Sequence, residues 1–556
     1  MSFRSFRLVT LTLTVLAVLA PVLLIVYQSF LSGPFFQPRI HLSLDAYAFI
    51  LDDEDFWQAL RTSVFLAVGM TVIAVPIGVL LAFLVVRTDV PGRDWLEPLV
   101  IIPTFMSAVV LAFGYVIALG PVGFVSLAFK SVFGTVPWYI YSEWAIALVA
   151  GLTHVPHVYL YAASALRNLG SDIEEAARTA GAGPWTVALT VSLPMVMPAV
   201  LYAAVLVFFL GFELFGLPLV LGDPEGVLVL STYLFKLTNK LGVPSYQLMA
   251  VVVVAIILIA VPLIMLQRRL LRHAARYVSI RGKGARKQPI RLGAWRWPAF
   301  AVVILWFGFT VVVPMAGITL RSLVTSWGDG VNLLSVLTLD HFRDLAEHGD
   351  VVRAILNTLG VAVIGGAVTI AAYTSVAVSI HRWNSRWAKL VDYIAMIPRA
   401  MPGVVAGLAM LWIFLFVKPL NPLRSTMISV WLAYSVVWFA YGLRMISGSL
   451  LQIAPELEEA GRTVGATPGQ VARHITVPLI KGGMISAWLL IFLIFAREYS
   501  TGVYLLAPGT EVIGSLMVSL WGTGAIDLVS ALAVVNTVII VAGLAVALRA
   551  GVRLHG

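Results

Sequence analysis

The sequence predicts an all-α polytopic membrane protein, with about twelve transmembrane helices in two six-helix halves repeated in parallel orientation. Three observations support this fold class. Of the 556 residues, 60% are apolar and only 12% are charged, which is far from the composition of a soluble domain. Apolar runs of about 20 residues, the length of helix that crosses a bilayer core, recur along the whole chain. One polar segment also occurs twice, 284 positions apart.

Twelve apolar runs are candidate membrane spans. They lie near residues 8–31, 61–86, 97–119, 143–166, 195–218, 246–267, 297–320, 355–380, 391–417, 426–446, 481–500 and 529–550. The stretches 121–134 and 226–240 are short or interrupted, and we expect interfacial or re-entrant pieces there. Arg4 and Arg7 precede the first run, which is too long for a typical signal-peptide core, so we expect a retained transmembrane helix.

Positive charge marks the expected cytoplasmic loops. Residues 268–296 contain ten Lys or Arg and no acid, which accounts for the whole net charge of +10. The positive-inside bias explains such a loop between two spans better than nucleic-acid binding does. The loops 32–60 and 322–354 are acidic and fall on the other side of the membrane. With six spans in each half, both termini and both copies of the repeated polar segment are predicted to be cytoplasmic.

The repeated polar segment is the most informative feature of the chain. We call residues 171–194 the first EEA segment and residues 455–478 the second EEA segment. The two segments align without a gap. Their identical residues include Glu174, Glu175, Ala176, Arg178, Thr179, Gly181, Ala182, Val187 and Pro194 in the first segment, and Glu458, Glu459, Ala460, Arg462, Thr463, Gly465, Ala466, Val471 and Pro478 in the second.

Each EEA segment is predicted to form a helix, a glycine turn and a second helix. In the first segment, Ser171 and Glu174 have the spacing of a capping box, Gly181 suits the left-handed position after the helix, and Pro184 starts the next one. Pro194 marks the junction with the fifth span. The second segment reaches the same shape with Pro455, Gly465, Thr467, Pro468 and Pro478. Two matched polar protrusions favour docking of a partner over a merely solvated loop.

The repeat extends beyond these segments. Thr62 pairs with Thr358, and Pro103 pairs with Pro398, at offsets of 296 and 295. We therefore divide the chain into a first half (residues 1–280), a basic linker (281–296) and a second half (297–556). Parallel halves of this kind place a substrate path between them.

The EEA segments resemble the EAA loop of binding-protein-dependent ABC import permeases of the type I fold. The first copy matches the pattern in full with Glu175-Ala176-Ala177, Gly181 and Leu193-Pro194. The second copy departs from it with Gly461 in place of the second Ala and Val477 in place of Leu. In that family the loop is a coupling helix seated in a cleft of a cytoplasmic ATPase, so the resemblance implies ATP-driven import fed by an extracytoplasmic binding protein.

The resemblance also implies which parts are separate chains. No G-x-x-x-x-G-K-[ST] phosphate loop occurs, so ATP and Mg²⁺ are expected on a partner ATPase and no cofactor on this chain. A fused permease needs two ATPase copies and one periplasmic binding protein, in a bacterial inner membrane. The residues expected to couple to the ATPase are Glu174, Glu175, Ala176, Ala177, Gly181, Pro194, Glu458, Glu459, Ala460, Gly461, Gly465 and Pro478.

Charged and imidazole groups inside the spans are candidates for the substrate path or its gate. Glu213 and Arg497 correspond at the 284 offset and could pair, contact a charged substrate or be structural, and Glu498 adjoins Arg497. His154 and His157 lie in the fourth span, where helix packing explains them better than contact with a passing metal complex. No cluster has the spacing of a bound metal site, no nucleophile–base arrangement is visible, and no enzyme activity is expected.

Substrate identity rests on resemblance alone. Fused permeases of this size are most similar to importers of iron(III), thiamine and aminoalkylphosphonates. The stretches FGLPLVLGDPEGVLVLSTYLFKL and REYSTGVYLLAPGTEVIG look most like the iron(III) branch. The alternative from another class is an ion-coupled secondary transporter with Glu213 or Glu498 carrying protons.

Overall fold

The computed structural model describes residues 3–168, 171–239, 245–274, 289–381, 386–395, 397–400 and 402–549. Regular structure in this part of the chain is helical, apart from three isolated β-bridges. Part of the predicted basic linker, residues 281–288, lies outside the described residues.

In the described part of the chain, fourteen α-helices lie before residue 323. They are α1 (Phe3–Ser29), α2 (Asp45–Asp52), α3 (Glu54–Arg87), α4 (Arg93–Ile101), α5 (Ala108–Leu119), α6 (Phe124–Phe133), α7 (Glu143–Asn168), α8 (Ser171–Thr179), α9 (Pro184–Val187), α10 (Leu193–Glu213), α11 (Leu230–Asn239), α12 (Tyr246–Ala274), α13 (Arg296–Phe307) and α14 (Val313–Ser322). The chain continues with α15 (Asp340–Glu347), α16 (Gly349–Gly360), α17 (Gly366–His381), α18 (Arg386–Ile394), α19 (Gly403–Phe416), α20 (Met427–Val437), α21 (Phe439–Leu451), α22 (Pro455–Thr463), α23 (Pro468–Val471), α24 (Val477–Arg497), α25 (Ile513–Gly522) and α26 (Ile526–Arg549).

The helices account for the predicted spans. Within the described residues, ten helices are long and apolar enough to cross a membrane, and the pair α20 and α21, bent by 62°, adds an eleventh. The shorter apolar helix α19 lies where the ninth span was predicted. The prediction of a multi-pass helical membrane protein is confirmed.

The third and ninth spans differ from the prediction of continuous runs over 97–119 and 391–417. Each begins with a short helix, α4 or α18, continues through a 3-10 turn at Ile102–Phe105 or Ile397–Ala400, and only then enters the apolar helix α5 or α19. Pro103 and Pro398 lie in these turns. A proline lacks the N–H group that would extend the preceding helix, which accounts for the break.

Each half also contains a short helix after its fifth span, tied to its own second span. The N–H of Leu230 at the start of α11 donates to Ser63 Oγ of α3 at 2.9 Å. The N–H of Ile513 at the start of α25 donates to Thr358 Oγ1 of α16 at 2.9 Å. These hydroxyl groups satisfy N–H groups that a helix start leaves without intrahelical partners. The same device therefore fixes the short helix in both halves.

The described chain packs as two compact units whose membership differs from the two sequence halves. The first unit is formed by Met1–Asp52, Leu237–Ile257 and Leu339–Leu554, and the second by Asp53–Lys236 and Leu258–Thr338. In the first unit α1 packs against α17, α18 and α19. In the second unit α14 packs against α5, where a Cβ on Gly114 would lie 2.5 Å from the Pro314 carbonyl oxygen. The first span of each half thus packs with the following spans of the other half.

Candidate functional site

The two EEA segments share one backbone plan. The first runs through α8, a turn at Gly181, α9 and a π turn at Ala188–Ser192 before α10 begins. The second runs through α22, a turn at Gly465, α23 and a π turn at Ala472–Thr476 before α24 begins. The predicted helix–glycine–helix shape is confirmed in both copies.

The glycine turn is the same structural motif in each copy. Gly181 has φ +90° and Gly465 has φ +88°, values that residues other than glycine rarely adopt. In the first segment the N–H of Ala182 donates to Ala177 O at 3.1 Å, and that of Gly181 donates to Arg178 O at 3.0 Å. The second segment repeats both bonds at 3.1 Å and 3.0 Å, from Ala466 to Gly461 and from Gly465 to Arg462. This pair of bonds is a Schellman motif, which ends the helix at a fixed angle.

The prolines lie at the junction with the membrane helix, but they do not interrupt the helix. α10 begins at Leu193 beside Pro194, and α24 begins at Val477 beside Pro478. The π turn just before each proline keeps the chain helical, with the Leu193 N–H bonded to Ala188 O. A proline ring would clash with the carbonyl four residues earlier, and a widened turn relieves that clash. The helical connection into the membrane helix is therefore continuous at both prolines.

The helix starts agree with the sequence where their side chains are described. Pro455 occupies the first turn of α22. Thr467 caps α23 in a capping box, in which the Thr467 N–H donates to Gln470 Oε1 at 2.8 Å and the Gln470 N–H donates to Thr467 Oγ1 at 3.4 Å. α8 begins at Ser171, but the side chains of residues 171–174 lie outside the described part, so the capping box of Ser171 and Glu174 stays a prediction.

The adjacent glutamates Glu458 and Glu459 of the second EEA segment have different environments. Glu459 and its neighbour Ala460 are exposed. Glu458 is only 3% exposed, and its Oε1 accepts a hydrogen bond from Thr476 Oγ1 at 2.8 Å. Arg462, one helical turn later, places its Nη2 3.7 Å from Glu458 Oε2. Glu458 therefore fastens α22 to the π turn, whereas the carboxylate of Glu459 is exposed on the protein surface.

In the first EEA segment the corresponding Glu175 and Ala176 are exposed, and Ala177 is half-buried. Gly461, which replaces the second alanine of the motif in the second segment, is buried. A Cβ at that position would lie 2.6 Å from Ile475 Cδ1. The departure from the motif thus has a packing cause, and the coupling role expected for Gly461 stays a prediction.

The candidate gate residues Glu213 and Arg497 occupy matching places, each being the last residue of the helix that follows an EEA segment. Both are half-buried. Glu213 belongs to the second compact unit and Arg497 to the first, and their pairing stays a prediction.

Glu498 is held by a dense set of hydrogen bonds. It is 8% exposed, and its Oε2 accepts from Trp438 Nε1 at 2.9 Å. Its Oε1 accepts from Ser500 Oγ at 2.8 Å and from the Thr501 N–H at 3.1 Å. Trp438 lies at the bend between α20 and α21. Glu498 therefore connects the bend of the tenth span to the loop after the eleventh, a link that sequence reasoning missed.

His154 and His157 lie on one face of α7, with their rings stacked at 5.3 Å between centroids. His154 Nδ1 lies 2.8 Å from the Ala150 carbonyl oxygen, a bond within the helix. Within the described residues, no group of three or more His, Cys, Asp or Glu side chains could hold a metal ion. The geometry of the pair agrees with helix packing.

A second duplicated feature was missed at the sequence level. Leu42, Leu44 and Asp45, at the start of α2, recur 295 positions later as Leu337, Leu339 and Asp340, at the start of α15. The four leucines are exposed. The 295-residue offset already found for Pro103 and Pro398 was the signal that could have located them.

Ion pairs of opposite polarity lie beside the matching second spans. In the first half, Lys236 Nζ lies 2.6 Å from Asp55 Oδ2, and in the second half Arg353 donates to both Glu511 carboxylate oxygens at 2.9 Å.

Comparison with known proteins agrees with this architecture. The family model described as "Binding-protein-dependent transport system inner membrane component" matches residues 74–276 and 367–554, one match in each half. The ferric transport system permease protein FbpB of Actinobacillus pleuropneumoniae is 23% identical over 501 residues, covering 88% of this chain and 70% of that protein. PhnV of Salmonella paratyphi A, named for 2-aminoethylphosphonate transport, is 28% identical over 223 residues, or 40% of this chain and 82% of that one.

Among solved structures, a bacterial ABC transporter involved in import of the acidic polysaccharide alginate aligns with a TM-score of 0.35 and 22% identity. That alignment covers 46% of this chain and 96% of the other. The twofold family match and the helical architecture define a membrane-spanning permease of the ABC importer class. The chain belongs to the binding-protein-dependent transport system inner membrane component family.

Proposed function

We propose that this chain forms both membrane halves of an iron(III) importer, and that each EEA segment docks into one copy of a separate cytoplasmic ATPase that binds ATP and Mg²⁺. The observation that carries the proposal is the identical backbone plan of the two segments, with matched glycine turns and π turns. Two equivalent docking segments suit two identical ATPase subunits.

The arrangement of each segment supports a mechanical role. The exposed Glu175 and Glu459, each followed by a small alanine, would contact the ATPase. In the second segment the buried Glu458–Thr476 hydrogen bond joins α22 to the π turn, and the helix continues without a loop into α24. A displacement of α22 would therefore move α24 directly. Packed helices with discrete arrangements can convert such a small displacement into a change of access from one side of the membrane to the other.

The proposed topology places both termini and both EEA segments in the cytoplasm of a bacterium, with the chain in the inner membrane. The basic residues between 268 and 296 and the acidic loops on the opposite side support this orientation. An extracytoplasmic binding protein would deliver the substrate to the outer face, in keeping with the family's description.

Iron(III) is the favoured substrate because the ferric permease FbpB matches over 88% of this chain. The second candidate is 2-aminoethylphosphonate, supported by the match to PhnV over 40% of the chain. Thiamine rests on the fused architecture alone. Glu498, the candidate proton carrier of an ion-coupled transporter, is instead engaged by four hydrogen-bond donors from Trp438, Ser500 and Thr501.

The docking proposal is tested by replacing Glu175 and Glu459 with Lys, singly and together, in cells that co-express the ATPase. We expect the double variant to lose co-purification of the ATPase and ATP-driven transport. The matched control is Glu54→Lys, because Glu54 is also exposed and lies on the opposite side of the membrane by the proposed topology. Unchanged coupling in the double variant would show that these helices do not dock the ATPase.

The substrate is tested separately in proteoliposomes that contain the permease, the ATPase and the binding protein. Uptake of radioactive iron(III), 2-aminoethylphosphonate and thiamine is compared with and without ATP. We expect ATP-dependent uptake of iron(III) alone. Uptake of 2-aminoethylphosphonate or thiamine in its place would reassign the substrate and leave the docking proposal standing.

A further inference from the structure

The amino-terminal helix α1 reaches the second EEA segment. Arg7 lines a small cavity together with Glu458, Arg462 and Thr476. Val378, near the end of α17, lines the same cavity. α1 therefore meets the EEA segment at the point where the Glu458–Thr476 bond joins α22 to its π turn.

The charges in this cavity form one linked set. Glu458 interacts electrostatically with Arg7, and its Oε2 lies 3.7 Å from Arg462. Arg7 and Arg462 repel each other, because both side chains are positively charged. Glu458 thus lies near two arginine side chains, and burial of a carboxyl group costs free energy unless such partners compensate it. Removal of Arg7 would weaken the anchoring of a side chain that fastens α22.

The first EEA segment has a different neighbour. Arg87, the buried last residue of α3, lies within electrostatic range of Arg178, which corresponds to Arg462. α3 belongs to the same sequence half as the first segment, whereas α1 belongs by sequence to the half opposite to the second segment. In the second segment, the contact with Arg7 crosses between the two sequence halves.

We propose that Arg7 is a positioning residue that fixes the second EEA segment to α1, so that a displacement of this segment is transmitted to α1 as well as to α24. The proposal rests on the function proposed above for the EEA segments. In this arrangement Arg7 touches neither the ATPase nor the substrate. Arg7 holds the second EEA segment in place through Glu458. Loss of the Arg7 side chain should therefore uncouple ATP hydrolysis from transport without preventing docking of the ATPase.

The functional test compares Arg7→Gln, Arg7→Lys and Glu458→Gln in the full transporter with the ATPase and an iron(III)-loaded binding protein. We expect Arg7→Gln to lower iron(III) transported per ATP hydrolysed about fivefold, the change expected for loss of roughly 1 kcal/mol, with ATPase co-purification intact. Arg7→Lys should restore most of the ratio because it keeps the charge. The Arg7→Gln/Glu458→Gln double variant should be no worse than the more severe single variant, because both act through one contact. Arg549→Gln, an exposed arginine at the end of α26, is the matched control.

A structural readout keeps the proposal testable apart from transport. The chain has no cysteine, so a single cysteine can carry a spin label in the full-length permease. Val464, 85% exposed at the tip of the second segment, corresponds to the exposed Ala180 in the first. We expect Arg7→Gln to increase label mobility at Val464→Cys and to leave Ala180→Cys unchanged.

The outcomes separate the two proposals. Unchanged mobility at position 464, or an equal increase at both positions, would overturn the role of Arg7, as would an unchanged transport ratio. Failure of the wild-type chain to retain any ATPase would instead overturn the docking function, and the label experiment would still decide whether Arg7 holds the segment.

Discussion

The two EEA segments have the same backbone and different fastenings. Both contain a left-handed glycine, a Schellman motif and a π turn before a proline. The second adds a capping box at Thr467 and a close packing contact at Gly461, whereas the matching positions of the first are Gly183 and Ala177. Glycine and proline positions therefore carry the shared shape, and the residues between them tune how firmly each copy is held.

The fourth and tenth spans show the same contrast. α7 runs without a break through Pro156, although proline disfavours a helix interior. The matching tenth span has no proline there, yet it bends by 62° between α20 and α21 at Trp438. Trp438 donates to the buried Glu498, and His154, its counterpart, bonds within its own helix. A tertiary hydrogen bond, and not local backbone chemistry, accompanies the bend.

The largest effect is expected at Gly461. Gly461→Val would place side-chain atoms where Ile475 and Val471 already pack. We therefore expect the free energy of unfolding to fall by about 3 kcal/mol, near the upper end of the range for overpacking. The matched change Ala177→Val, at a half-buried position of the first segment, should cost less than about 0.5 kcal/mol. Thermal unfolding of the two variants in the same detergent measures the difference. Equal losses would mean that the two segments are packed alike.

Trp438→Phe sharpens the comparison of the tenth and fourth spans. The change removes the donor to Glu498 Oε2 and leaves a buried carboxylate with fewer partners, at a cost of about 2 kcal/mol. His154→Phe removes the bond to the Ala150 carbonyl within α7 and should cost about 1 kcal/mol or less. Unfolding temperatures of the two variants are compared with that of the wild type. If the two variants are equally stable, Glu498 does not depend on Trp438.

The sequence predicted the elements that depend on local chemistry. The glycines Gly181 and Gly465 and the cap at Thr467 were assigned correctly because their backbone preferences hold in any surroundings. The inward orientation of Glu458 was not predictable, because it depends on Thr476 in the next helix. The tie between Glu498 and Trp438 spans 60 residues and leaves no local signature. The packing of α1 with α17, α18 and α19 is a tertiary choice that the repeat pattern does not encode.

Thr467→Ala tests the fastening that only the second segment has. Loss of the Thr467 side chain removes the cap of α23 and should cost about 1 kcal/mol. The matched change in the first segment is Gly183→Ala, where an added Cβ meets nothing within 4 Å. That change should alter the free energy of unfolding by less than about 0.5 kcal/mol, because restriction of the unfolded chain and the poor N-cap preference of alanine oppose each other. A clear shift of the denaturation curve for Thr467→Ala and a small one for Gly183→Ala would bear out the contrast, and equal shifts would refute it.

The smallest effect concerns the ion pairs beside the second spans, and it depends on pH. Hydrogen bonds from Arg353 hold the pKa of Glu511 below its usual value, with further bonds from the Gly509 N–H and from its own backbone. A carboxylate with a lowered folded-state pKa contributes stability above its unfolded pKa of about 4.3 and loses it as the pH falls through the folded value. Glu511→Gln should therefore lower the unfolding temperature by a few degrees at neutral pH, and the difference from the wild type should shrink below about pH 4.

The first half provides the matched pair for this last measurement. Asp55→Asn removes the partner of Lys236, but it breaks a single contact of 2.6 Å between two partly exposed groups. Glu511→Gln disrupts a two-point contact with Arg353. Exposed single-contact ion pairs contribute little, so the shift for Asp55→Asn should be the smaller one at every pH. A larger shift for Asp55→Asn, or a Glu511→Gln difference that grows on acidification, would reverse the assignment of the stronger pair to the second half.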